Sequence, residues 1–223
     1  YGQRRIAGNL VYASTTETNK FLHLIFCVAN HEIESFVEFQ INEDVVTINA
    51  NGFVTNEKYA SGSKDSDDDR HVRIKTHLGT DTQSADADLV AEDDNWTSEH
   101  QLKGIAYMYI RLKFSNDIFP NGIPNISAVI KGRKVFDPRT STTAFSSNSA
   151  LCIRDYLLNT KFGLGAKSTE VNDTIFSSAA NTCDENVTLD GGGTEKRYEC
   201  HGVNRFWWDK KWGRCCKSFS AWS

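Results

Sequence analysis

The groups best placed to do chemistry are few, and each falls short of a working site. His31-Glu32, with Glu34 close by, has the residue types of a helical zinc hydrolase, but the second histidine four residues on is missing. His71 and His77 are the other metal-like pair, and solvated surface residues are the better account of both groups. Asp65–Asp69 has the carboxylate density of a calcium loop without the glycine at its sixth position or the glutamate at its twelfth. Gly163-Leu164-Gly165-Ala166-Lys167-Ser168 lacks the adjacent Gly-Lys of a phosphate loop and follows a helical pattern, so it reads as a helix C-cap. No Gly-x-Ser-x-Gly elbow occurs, and no Asp/Glu spacing marks a glycosidase pair. The expectation is a chain without catalytic residues, cofactor or metal.

The elements that would position any such group belong to a chain of 223 residues, enough for one large domain or two small ones. A composition of 39% hydrophobic, 11% aromatic and 24% charged residues is that of a folded protein and excludes collagen, coiled coil and mucin-like stalks. The longest apolar run, Phe21–Ala29, is broken by His23, and no window approaches the ~18 apolar residues that span a bilayer. With Tyr1 first and no apolar stretch behind Arg4 and Arg5, the chain reads as a fragment and not as a signal peptide. Cys27, Cys152, Cys183 and Cys200 are widely separated and read as reduced core cysteines.

Asn204–Ser223 differs in kind. It holds Trp207, Trp208, Trp212 and Trp222, four of the five tryptophans, together with Cys215, Cys216 and five Lys/Arg against Asp209 alone. Without it the chain carries 20 basic and 28 acidic residues, a balance that does not attract a nucleic-acid backbone. One reading makes the stretch a basic aromatic surface for membranes or sugars. The other makes it out of frame, because Trp207-Trp208-Asp209-Lys210-Lys211 rereads one base along as Gly-Gly-Thr-Lys-Ser. The codons of Gly213–Phe219 then allow an acidic helix start followed by helix-spaced apolar residues. We expect a frame change near Val203–Phe206, which clean sequencing reads in the present frame would refute.

Period-two patterning predicts strands around Ile6–Tyr12, Phe21–Val28, Phe36–Ile41 (with Val37, Phe39 and Ile41 on one face) and Val45–Ile48, then an Asn51-Gly52 turn before Phe53-Val54. These form a small antiparallel meander. Ala60–Arg70 is a Ser/Asp-rich loop or hairpin tip, His71–His77 a strand, and Gly79–His100 an acidic excursion with a short helix around Ala85–Ala91. Ile105–Phe114 is the strongest strand and Ile126–Ile130 the next. Helices follow: Ser147 or Asn148 caps one with an Ala150, Ile153, Leu157 stripe that ends at Gly163 and Gly165. A second runs from Asp173 through Ile175, Phe176 and Ala180 to Cys183, before a final strand around Lys196–Cys200. The fold class is α+β, strand-dominated, with two helices in the C-terminal half; 1–100 forms a β-rich part with an acidic insertion, 101–203 a mixed part, and 204–223 an out-of-frame tail.

Five segments resemble a known family: His31–Asn42, Leu102–Phe114, Phe119–Thr140, Asn148–Leu157, and AANTCDENV followed by KRYECHGV. They are similar to the central tail-tip, or host-specificity, proteins of long-tailed bacteriophages, the tip attachment protein J family, across nearly all of 2–203. That resemblance implies tail-hub-like β-rich domains and a structural role in a virion assembled in the host cytoplasm. It further implies a homotrimer, other tail proteins as partners, and a host surface receptor reached through downstream domains. Under it Arg133, Asp137 and Arg139 become interface or ion-pair residues tying strand to helical part, with solvated charge as the alternative. His31 and Glu32, just after a strand, would help shape an inter-domain corner, with plain surface placement as the favoured alternative, and Asp155 and Tyr156 serve helix packing rather than ligand binding. An extracellular carbohydrate- or receptor-binding module is the competing class, and a tail-borne cell-wall hydrolase the third.

Overall fold

The computed structural model describes residues 1–61 and 67–202. The Trp-rich end at 204–223, and Ser63, Asp65 and Ser66 of the acidic run, lie outside the described residues. Among the described residues there are twelve strands in antiparallel pairs and three α-helices, two of them in the C-terminal half, so the fold is strand-dominated α+β. The chain forms two compact units: one is 5–134, the other 1–4 with the residues from 135 on. The sequence reading placed its boundary near residue 100. Long-range pairing moves the division to 134/135, because the strand after residue 105 hydrogen-bonds strands laid down before residue 80.

In the 5–134 unit the elements are β1 (Gln3–Ile6), whose last two residues belong here, β2 (Asn9–Thr16), β3 (Phe21–Ala29), β4 (Ser35–Ile41), β5 (Asp44–Val46), β6 (Val72–His77), α1 (Ala87–Glu92), β7 (Ala106–Lys113) and β8 (Ile126–Lys131). They make two four-stranded sheets, ordered β2-β3-β7-β6 and β1-β8-β4-β5. The predicted meander is therefore split between two sheets. The switch is the corner at 30–34, where Ile33 is fully buried and its N–H donates to the Leu78 carbonyl at 2.9 Å. Both sheets fill one core: Leu24, Ile74, Met108 and Ile110 come from the first, Phe39, Ile41, Ile126 and Ile130 from the second. A bulge between Phe36 and Glu38 breaks the alternation, leaving Val37 49% exposed while Phe39 and Ile41 go inward. The segment 52–54 covers the free edge of β6 through the Phe53–Arg73 bridge and the Val54 N–H to Val72 carbonyl bond at 2.9 Å, and Ile48 bridges Val54 behind it. The close approach there requires Gly52, since a Cβ would sit 2.5 Å from the Ile74 carbonyl oxygen and φ is +86°.

The second unit holds β9 (Lys134–Asp137), which begins at the division, β10 (Thr142–Phe145), α2 (Ser149–Leu158), α3 (Asp173–Cys183), β11 (Asn186–Thr188) and β12 (Thr194–Lys196). Its strands form two hairpins, and α2 packs on α3 around Val135, Ala150, Leu151, Ala180 and Cys183. Asn148 caps α2 by accepting from the amides of Ala150 and Leu151, and its own Nδ2 donates to the Ala180 carbonyl at 2.9 Å. Of the predicted apolar positions Ala150, Leu151 and Ala180 are buried, but Ile153 and Ile175 are 54% and 65% exposed, because the contact of two short helices is small. Helix α2 ends at Leu158, ahead of the glycines, with Asn159 as its C-cap. The last strand is shorter and earlier than expected, and Glu199 beyond it bridges Asn148. Cys27, Cys152 and Cys183 are buried free thiols and Cys200 a half-buried one; burial pushes Cys27 and Cys152 up to about 12.

Candidate functional site

The most organised polar constellation lies on the outer face of the β2-β3-β7-β6 sheet. Strand alternation creates it. Met108, Ile110 and Leu112 of β7 point into the core, which sends Tyr107, Tyr109 and Arg111 to the opposite face. Register aligns His23 of β3 and Arg73 of β6 with Arg111, and His77 of β6 with Tyr107. The excursion at 79–105 supplies the acids for this basic, aromatic surface. Glu92, at the end of α1, receives Arg73 on Oε2 at 2.8 Å and Arg111 on Oε1 at 3.0 Å. Asp86 accepts from Leu89 at the N-terminus of α1 and meets His77 Nε2 at 2.8 Å. Asp93 accepts from the Tyr12 hydroxyl at 2.7 Å, and the Tyr12 ring lies 4.9 Å from that of Trp96.

A chain of hydrogen bonds runs through this face. His23 is fully buried, with Nδ1 at 2.8 Å from the Tyr109 hydroxyl and Nε2 at 2.8 Å from Thr16 Oγ1. Tyr109 in turn accepts from Arg73 at 3.2 Å and donates to Glu92 at 3.3 Å, so a neutral His23 protonated on Nδ1 satisfies every partner. Burial pushes the His23 imidazole below its ordinary value, against the pull of Glu92 and Asp93. Burial raises the Tyr109 phenol, and burial with the Asp93 bond raises Tyr12 to about 12. Burial opposes the Arg73 charge, but the Glu92 and Tyr109 bonds outweigh it and hold the guanidinium above its usual value. For Asp86 burial would raise the pKa; the His77 and Leu89 bonds win and keep the carboxylate below its usual range. His23, Tyr109, Arg73, Glu92, His77 and Asp86 thus each hold a partner on this face, while the buried Tyr107 hydroxyl makes no hydrogen bond among the described residues.

The residues singled out from sequence do not converge on this face. His31 and Glu32 stand at the corner between the sheets, where Glu32 pairs with Lys134 at 2.9 Å and His31 Nδ1 lies 3.4 Å from Asn30 Oδ1. Arg133 follows β8 in the same unit. Asp137 and Arg139 lie in the second unit, with Arg139 Nη2 on Asp137 Oδ2 at 2.7 Å and Nη1 reaching Asn181 and Asp184 of α3 and its cap. The Asp137 bond is the main cause that raises Arg139, and the same bond depresses Asp137. Asp155 accepts from the Tyr1 hydroxyl at 2.6 Å, and the Tyr156 carbonyl accepts from Leu164 N–H. Sequence reading missed His23, Arg73, Tyr109 and Arg111 as partners. The available signal was their period-two placement on strands beside an acidic excursion rich in matching carboxylates. Among the described residues no cluster of His, Cys, Asp and Glu could hold a metal ion.

A strand-dominated scaffold whose polar groups serve its own architecture agrees with what comparison finds, a likeness to the attachment proteins of the phage tail tip. The relative is the Tip attachment protein J of Escherichia phage SECphi27, 27% identical over 154 residues, which are 59% of this chain and 13% of that protein. This chain thus spans a small part of that relative's length. No family model matches. Among solved structures, a chain of the virion of a native gene transfer agent particle aligns over 59% of this chain and 25% of its own, with 17% identity and a TM-score of 0.39.

Proposed function

We propose that this chain is a non-enzymatic structural part of the tail-tip hub of a long-tailed bacteriophage. In this reading it works as a homotrimer with other tail proteins, is assembled in the host cytoplasm, and contributes to tail assembly, host attachment and DNA ejection. The host receptor is met through further domains. The observation that carries the reading is the similarity to the phage SECphi27 tip attachment protein over 154 residues. The inward-turned chemistry of the 5–134 unit supports it, since its buried His, Arg and Tyr side chains bond one another. The test is disruption of the coding region in the parent phage, joined to the nucleotide sequence across its 3′ end. Particles lacking a finished tail tip and failing to adsorb are expected, as is a frame that continues past Val203 among tail genes. Normal adsorbing particles, or peptidoglycan release by the purified chain, would overturn it.

A further inference from the structure

Two thiols meet in the second unit. Beyond β12 the segment 198–200 runs antiparallel to residues 147–149: Ser149 N–H donates to the Tyr198 carbonyl at 3.4 Å, Glu199 bridges Asn148, and Cys200 N–H donates to the Ser147 carbonyl at 2.6 Å. Side chains on a helix lean toward its N-terminus, which aims Cys152 of α2 at the same place. Its thiol donates to the Ser146 carbonyl at 3.7 Å, one residue from the carbonyl that holds Cys200. The Cys152 and Cys200 side chains thereby come within hydrogen-bonding reach of each other. The other cysteines among the described residues lie elsewhere: Cys27 belongs to the 5–134 unit, and Cys183 packs with Val135, Ala150, Leu151 and Ala180.

The two thiols differ in access. Cys152 is 2% exposed, and burial first, then the neighbouring Cys200 thiol, pushes it up to about 12, so it is protonated at neutral pH. Cys200 is half-buried and open to a reagent from solvent. Unequal neighbours of this kind divide the work of thiol exchange into an attacking and a resolving cysteine. The segment that carries Cys200 is a junction held at the surface by hydrogen bonds, for every residue of β12 before it is exposed. Gly202 N–H donates to the Tyr1 carbonyl at 3.1 Å, and Gln3 N–H donates to His201 Nδ1 at 3.0 Å. Gly2 approaches so closely that a Cβ would lie 2.1 Å from the Cys200 carbonyl oxygen.

We propose that Cys152 and Cys200 form a redox modification site, a dithiol that closes to a disulfide and fastens residues 198–202, with the 1–3 segment they hold, to α2. The oxidant is a small-molecule disulfide, for which oxidised glutathione serves as probe. Cys200 Sγ attacks one of its sulfurs, forming a mixed disulfide and releasing one glutathione thiol. Cys152 Sγ then attacks Cys200 Sγ and releases the second. Two protein thiols are oxidised, one disulfide of the oxidant is reduced, and each protein thiol proton passes through solvent to a departing glutathione sulfur. This chemistry stands independently of the tail-tip reading. Under that reading the pair stays open during assembly in the reducing cytoplasm and closes once the particle has left it.

The experiment treats the full, reduced chain with oxidised glutathione across about pH 7 to 9, blocks the remaining thiols and maps the products by peptide mass spectrometry. Amide exchange is then compared between the oxidised and reduced forms. A Cys152–Cys200 disulfide is expected, with Cys27 and Cys183 left as thiols and exchange at 198–202 slowed about tenfold or more. Closure of the mixed disulfide should quicken about tenfold per pH unit, because the resolving thiol is the protonated one. A Cys152→Ser chain should stop at a glutathione adduct on Cys200; the wild-type map needs no substitution and decides the matter should that variant not fold. Linkage of Cys200 to any other cysteine, both thiols left free, or a disulfide that leaves exchange at 198–202 unchanged would overturn the proposal.

Discussion

The two units solve the same problem, the pairing of arginine with carboxylate, in opposite settings. In the 5–134 unit Arg73 is 93% buried and depends on Glu92, which also serves Arg111 and Tyr109. In the second unit Arg139 lies near the surface with two carboxylates of its own, Asp137 and Asp184. The first network leans on one close carboxylate, with Asp88 farther off at 3.9 Å from Arg73 Nη1; the second has two within 2.8 Å. Sharing therefore makes the buried network fragile to single changes, and surplus makes the surface one tolerant, whatever the count of ion pairs suggests.

The contrast is sharpest for Glu92→Gln, which leaves Arg73 buried without a full countercharge and should cost about 3 kcal/mol in denaturant unfolding. A loss below about 1 kcal/mol would erase the distinction. Asn148→Ala comes next: it removes the α2 cap and one of the two donors to the Ala180 carbonyl, which keeps the Asp184 N–H, with an expected loss of about 2 kcal/mol seen as faster amide exchange at 149–152. Acid titration should separate the units by pH. The folded pKa of His23 is depressed, so its contribution is complete above the unfolded value of about 6.5 and is lost as pH falls from there toward the folded value. In the second unit the depressed groups are Asp137 and Asp173, held down chiefly by Arg139 and Arg154, so their contribution persists until pH drops below about 4. Exchange followed residue by residue from pH 7 to 5 should loosen β3 and β7 first; simultaneous loosening of α2 and α3 would break the comparison. The smallest effect belongs to Asp184→Asn, about 0.5 kcal/mol, because Asp137 keeps its two-pronged grip on Arg139.

Local chemistry explains what was legible. Helix α3 begins and ends where its Asn172 cap and apolar spacing place it, and Ile105–Phe114 contains the central strand β7. The acidic excursion with its short helix was also visible, as was the turn at Asn51-Gly52. Pairing partners were not, since nothing in Phe21–Ala29 says that its neighbour is Ala106–Lys113 rather than Ser35–Ile41. Val37 was misplaced because a bulge is a defect in the very alternation used to read strands. His23 looked like an interruption in an apolar run. In fact it is the hydrogen-bonded centre of the site, supported by residues 86 positions away in sequence.

The excursion at 79–105 is closed at its neck. Gln83 Oε1 accepts from Gly79 N–H at 2.9 Å, and its Nε2 reaches the carbonyls of Gln101, Leu102 and Ile105. Gly79 itself lies so close to the returning chain that a Cβ would stand 2.7 Å from Ala106 N. Since β6 and β7 are already antiparallel neighbours, the excursion is an appendage whose length the sheet does not dictate, held down by charge rather than by connectivity. A chain in which a tight turn replaces residues 80–104 should still fold, but with Arg73, Arg111 and Tyr109 laid bare. Such a chain would change its affinities rather than its shape, and stronger retention on heparin than that of the intact chain is expected.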